Sequence, residues 1–327
     1  MVAKGEWSPQ ASLMTRLFPS IVAVLFAAVT LSIQSSAQAD TFGGGTTNEF
    51  TIDFVNIGNT GNAADTTTYG AVPYEYRASI YEISQNDITK ATASGMANVT
   101  AGAWSNNQPA ANISWYAAAA FVNFLNTNSG KTAAYNLAWS GSAWSMTLQS
   151  SSNAWTAGGT NLYRNKDAFY FLPSENEWYK AAYYNAAGTN YFLYPTASSS
   201  VPTAVASGTN AGSAVYNGVA SVPAIVDSAG GLSLYGTMGQ GGNIFEWNES
   251  AFDGSNSSPS EHRACRGGDW INTGFFMRSS DRNNDAPTSE HDDLGFRVAS
   301  VPEPSTAVLV LMAGGAWLLR RPLRRSL

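Results

Sequence analysis

Cysteine is nearly missing from this sequence. Cys265 is the single one in 327 residues. No internal disulfide can form, so stability must come from the core or from bound ions. Histidine is scarce as well: there are two, His262 and His291, both in polar stretches. A metal site built on them would need carboxylate help from residues such as Asp292 or Asp293. Charge is thin too, at 12% of residues against about 25% in an average soluble protein. The formal net charge is −6. Part of the basic complement sits in the two ends, which leaves the middle more acidic still, and no nucleic-acid partner is expected. Nucleophile-elbow, P-loop and zinc-protease motifs are absent, and no sequence period marks a repeat architecture.

Apolar material is present in quantity. Hydrophobic residues make up 44% and aromatics 12%, enough for a sizeable core and too much for bulk disorder. With so few charges, the solvent face has to be built from Asn, Ser, Thr, Gly and Gln. Such a surface is common on proteins that work outside the cell.

The two ends read as addresses. Residues 1–39 have the parts of a secretion signal: Lys4 and Arg16, an apolar run over 17–33, and Ala37-Gln38-Ala39 at the cleavage site. Cleavage is expected before Asp40. Met14 also opens a segment that looks like a complete signal. At the other end, Pro302-Glu303-Pro304 leads into an apolar segment over 307–319, then Arg320, Arg321, Arg324 and Arg325. The segment is shorter than the roughly 20 residues of a stable span. Its basic flank would stay cytoplasmic, so its membrane contact is expected to be transient. This order resembles the PEP-CTERM sorting signal over 301–327. The resemblance implies recognition by an exosortase, removal of the tail, and delivery to the cell surface or extracellular matrix.

Between the ends, the Gly/Thr-rich residues 40–49 read as a flexible lead-in. Residues 50–54 alternate apolar and polar, as a half-buried strand does, and 74–81 alternate again. Ser84 with Asp87 forms a capping-box pattern that starts a short helix ending at Gly95. A second helix is expected over about 114–125, with Trp115, Ala118, Phe121, Val122 and Leu125 on one face. A third begins at Ser174, where Ser174 and Glu177 make a second capping box ahead of Trp178, Ala181 and Ala182. The Ser/Gly/Asn/Ala tracts 140–159 and 198–230 read as loops. No linker divides 50–299, so one globular domain is expected.

Five blocks then occur in one order: Ile80-Tyr81-Glu82-Ile83, Ala111-Asn112-Ile113-Ser114-Trp115, Phe171-Leu172-Pro173-Ser174-Glu175-Asn176-Glu177-Trp178, Gly242-Asn243-Ile244-Phe245-Glu246-Trp247, and Arg266-Gly267-Gly268-Asp269-Trp270 with Leu294-Gly295-Phe296-Arg297 behind it. Together they resemble the formylglycine-generating enzyme, or sulfatase-modifying factor, domain over 50–299. The resemblance implies an irregular, loop-rich α+β fold related to C-type lectins. It also implies calcium in the Gly242–Trp247 turn, with Glu246 as the carboxylate and Gly242 and Ile244 offering carbonyls. Oxygen donors of this kind suit calcium, and Glu246 bonded to amides of its own loop is the competing reading. A second calcium site would fall near Asn210.

The catalytic members of that family need a cysteine pair after the Gly-Gly block, because thiolates hold copper. Asn272 and Met277 occupy those places here, and Asp269 replaces the block's serine, so copper is not expected. Cys265 lies before the glycines and has no cysteine to pair with. Arg278, Arg282 and Arg297 need partners if buried, with Asp281, Asp285 and Glu290 as nearby candidates. Alternatively Asp269, Arg278 and Arg282 line the groove where the family receives peptide. Two functional classes follow: a non-catalytic binding or matrix domain whose ligand is a polysaccharide or a peptide, and an oxidoreductase with an atypical metal site. For the first, Trp104, Trp139, Trp144 and Trp155 are candidates for stacking on sugar rings.

Overall fold

The computed structural model describes residues 37–302; the signal segment before Ala37 and the sorting tail from Glu303 onward lie outside it. Five strands make the central sheet, in the order Gln38–Phe42, Phe50–Ile57, Tyr76–Ser79, Ala299–Ser300, Tyr170–Phe171. All four pairings are antiparallel. The described strand latest in sequence therefore lies inside the sheet, between strands from the first and middle parts of the domain.

Residues 40–49 correct the expectation of a flexible lead-in. Gln38–Phe42 is a strand, paired from Gln38↔Phe54 to Phe42↔Phe50. Phe42 is buried against Phe50 and Tyr170. Asp40 holds the buried Arg77 through two bonds, of 3.0 and 2.5 Å. The Gly/Thr composition governs only the turn after it.

Both capping boxes form as read. Ser84 and Asp87 cap the helix Gln85–Ala93, and Ser174 and Glu177 cap the helix Glu175–Tyr183. In each, the serine oxygen takes the N3 amide while the N3 carboxylate returns to the cap amide. The longest helix among the described residues, Trp115–Asn128, is nearly apolar all round and is sunk in the core, as a helix without a polar face must be. Its Asn126 covers the edge of the central sheet. The amide oxygen accepts from the backbone of Phe169 and Tyr170, and its nitrogen donates to the Tyr170 carbonyl at 2.8 Å. That leaves the outer strand's polar groups satisfied without a further strand.

A second sheet carries the site. Its order is Asn283–Asp285, Arg263–Arg266, Phe245–Ala251, Leu294–Gly295, with the last pair parallel. The tract 140–159 is less loop-like than its composition suggests. Asn136–Trp139 pairs with Trp144–Thr147, and Ala154–Trp155 pairs with Asn161–Asn165. Among the described residues, no helix is long and apolar enough to cross a membrane.

Candidate functional site

The Gly242–Trp247 block enters the strand Phe245–Ala251 through a turn that only glycine can open. Gly242 sits at φ +77°, where a Cβ would collide with the Val215 carbonyl oxygen. Asn243 follows, also left-handed and buried. Its oxygen accepts from Ala224 N at 2.8 Å, and its amide nitrogen donates to both oxygens of Glu82 at 3.0 Å. Glu246 lies at the centre. Arg297 grips it with two bonds, Nε to Oε2 at 2.6 Å and Nη2 to Oε1 at 2.7 Å. Trp178 Nε1 adds a third at 2.7 Å. Arg297 also donates to the carbonyls of Ser79, Ile80 and Met238. Burial, then the nearby charge of Glu246, pushes the Glu82 carboxyl well above the usual carboxylate range.

Two further ion-pair clusters surround this one. Arg164 bridges Glu177 and Glu249, at 2.8 and 2.6 Å. Burial raises the pKa of Glu249. For Glu177 burial acts upward, but the Arg164 charge together with hydrogen bonds from Arg164 and Ser174 outweighs it, and the pKa is lowered. Glu175, at the start of the helix Glu175–Tyr183, takes both Arg266 and Arg282, at 2.7 and 2.6 Å. The partners expected for the late arginines are thus corrected. Arg282 pairs with Glu175 and Arg297 with Glu246, while Asp285 pairs with His291 at 2.7 Å.

The Arg266–Asp269 turn brings the remaining residues together. Asp269 is buried and caps its own turn, accepting from the amides of Ile271 and Asn272 at 2.7 and 2.6 Å and from the Asn272 side chain. Met277 is buried against Tyr194 and Tyr216. Of the three groove residues read from the sequence, Asp269 and Arg282 are taken by internal contacts. Arg278 is half-buried, bonded through Nε to Tyr194 at 3.2 Å and stacked over the exposed Phe275. Cys265 is 2% exposed. Burial, with Asp285 and Asp293 close by, raises its thiol well above the usual range. A thiol in that state is a poor nucleophile.

This architecture matches known proteins. The sulfatase-modifying factor enzyme 1-like domain matches residues 45–301. The chain belongs to that family. Solved structures agree on the fold. "Treponema denticola variable protein 1" is 20% identical with a TM-score of 0.54, over 82% of this chain and all of that one. CarF is 17% identical with a TM-score of 0.55, over 77% of this chain and 99% of that one. PvdO from Pseudomonas aeruginosa is 17% identical with a TM-score of 0.51, over 82% and 98%. No curated protein matches the sequence.

The residues present do not fit calcium at Glu246, the metal that the resemblance implies for this chain, nor copper after the Gly-Gly block. Calcium at Glu246 would have to displace a guanidinium, since Arg297 and Trp178 already occupy the carboxylate oxygens. At the copper position the donors are the amide of Asn272 and the thioether of Met277, neither of them a thiolate. Sequence reasoning missed Glu82, Arg164, Glu175 and Glu249. The available signal was Phe245-Glu246-Trp247-Asn248-Glu249: two carboxylates in an aromatic strand of a charge-poor chain require buried cationic partners.

The four candidate tryptophans divide. Trp104 donates to the Asp292 carbonyl at 2.6 Å and meets Trp270 edge-on, so it anchors loops. Trp144 donates to the Asn98 carbonyl at 2.9 Å and packs against Trp139, which is partly open to solvent. Trp155 is half-buried and lines a cleft.

Proposed function

We propose that this family member is an exported, non-catalytic domain that binds a polysaccharide or a peptide at the cell surface or in the extracellular matrix. The observation that carries the reading is the chemistry around the Arg266–Asp269 turn. Oxygen chemistry in the family requires two thiolates there, and this chain offers Asn272, tied to Asp269, and the buried Met277. Its one thiol is sequestered. Three buried ion-pair clusters stiffen the surrounding scaffold, as a domain that presents a rigid surface requires. The expected signal peptide and the PEP-CTERM-like tail support export, processing by an exosortase and surface display.

The experiment has two arms. The purified mature domain is incubated with a cysteine-containing sulfatase peptide, copper and reductant in air, and separately screened against glycan and peptide arrays. No mass change at cysteine together with a saturable array ligand is the expected pair of results. Formylglycine formation would overturn the reading, and so would arrays on which nothing binds.

A further inference from the structure

The cleft lined by Trp155 has a volume of about 290 Å³ and lies among the loops around Tyr69–Tyr74, the 155–161 turn and the 250–256 turn. It is separate from the residues that replace the cysteine pair. We propose that this cleft is a subsite for one neutral sugar ring of a polysaccharide, with Trp155 as the stacking wall. This deepens the binding reading given above and rests on it.

The walls are of two kinds. Trp155, Tyr69 and Tyr74 supply half-buried aromatic surface, which suits the apolar C–H face of a hexose. The same cleft is lined by polar groups whose internal contacts leave hydrogen-bonding capacity over. Asn176 accepts from Gly70 N at 2.9 Å through its oxygen, and Asn256 accepts from Ala251 N at 2.8 Å through its oxygen. Neither amide nitrogen has a partner among the described residues. Asp253 accepts from Ser255 N through one oxygen and is open to solvent. Sugar hydroxyls both donate and accept, so they match such a mixed set of donors and acceptors.

Charge disfavours anionic ligands. The one cation on the wall, Arg164, is fixed between Glu177 and Glu249, so a uronate or a phosphate would meet Asp253 with no free cation to hold it. The acidic side chains of a peptide would meet the same carboxylate. The volume sits near the lower limit of small-molecule sites, roughly 300 Å³, and suits a single ring rather than a length of polymer.

The test uses calorimetric titration of the mature domain with neutral hexose oligomers, uronate oligomers as controls, and a peptide library. The variants are Asn176→Asp and Asn256→Asp, which keep the oxygen acceptors that hold the fold and remove the donors. Saturable binding of a neutral oligomer, weakened by about tenfold or more in the double variant, is expected from two lost hydrogen bonds. Trp155→Phe should weaken it further at an unchanged melting temperature. A neutral oligomer that binds wild type and the double variant equally overturns the cleft and leaves the binding domain standing. A peptide or uronate whose binding the double variant abolishes overturns the neutral-sugar assignment. Absence of binding by every probe overturns this inference and the binding function together.

Discussion

Single residues decide how charge is tolerated in so apolar a chain. Glu246 is fully buried, and Arg297 neutralises it. Replacing Arg297 by Met would leave that carboxylate unpaired beside Glu82. Losing one partner of a buried pair costs about 3–5 kcal/mol, and a loss of that size is expected in urea unfolding of Arg297→Met. A double variant that also carries Glu246→Gln should recover part of it, because no charge is then stranded. A single-variant loss under about 1 kcal/mol would mean that water reaches the pair. Asp293 gives the opposite sign. Burial, then Asp269 and the hydrogen bond shared with it, raises its pKa to about 6, above the roughly 3.9 of an unfolded Asp. Between those two values the folded chain keeps a proton that the unfolded chain has released, so stability falls as pH rises through that window. Melting curves of the wild type and Asp293→Asn should therefore diverge from about pH 4 to pH 6, with the Asn variant less sensitive. Parallel curves would rule out the shared proton.

At the scale of elements, the helix starts carry the local information. The Ser174 hydroxyl accepts from Glu177 N, and Glu177 returns to Ser174 N while also holding Arg164. Ser174→Ala should cost about 1 kcal/mol, read as a shift in urea midpoint with an unchanged slope. A loss several times larger would show that the cap also positions Glu177 for Arg164. These helices were legible because a cap and its return partner lie three residues apart. The first part of the strand Phe50–Ile57 was legible from the alternation over 50–54, which breaks at the buried Val55. The hairpins in 136–165 were not, since strands of two to five residues are too short to show a period and their Ser, Asn and Gly content reads as loop. The site was legible as a set of blocks but not as a set of contacts. Arg297 and Glu246 are 51 positions apart and Arg266 and Glu175 are 91 apart, so proximity in sequence pointed to the wrong acids. The Gly242–Trp247 turn showed a free carboxylate in sequence only because its guanidinium partner belongs to another element.

At the scale of the molecule, the domain closes on itself through the last of its described strands. Ala299 and Ser300 pair with Ala78 and Arg77 on one side and with Phe171 and Tyr170 on the other. Ser300 Oγ accepts from Arg77 Nε at 2.8 Å, and Arg77 in turn holds Asp40. Phe296 and Val298, immediately before it, are fully buried. The processing expected from the sequence, before Asp40 and after Pro304, spares these contacts. It removes two ladder positions, Gln38↔Phe54 and Ala39↔Asp53, at an exposed edge. A chain of residues 40–304 should accordingly melt cooperatively, close to the midpoint of the longer protein. A chain of residues 40–297 should not. It lacks the inner strand, which leaves ladder groups on two neighbouring strands without partners in a buried sheet, and each such group costs about 1–3 kcal/mol. It also loses Val298 from the core. Against a total stability of about 5–15 kcal/mol, several orphaned groups and an opened core are enough to abolish folding. The measurement is near-UV circular dichroism on heating. A cooperative transition in the 40–297 chain at the midpoint of the 40–304 chain would show that the sheet does not depend on its last strand.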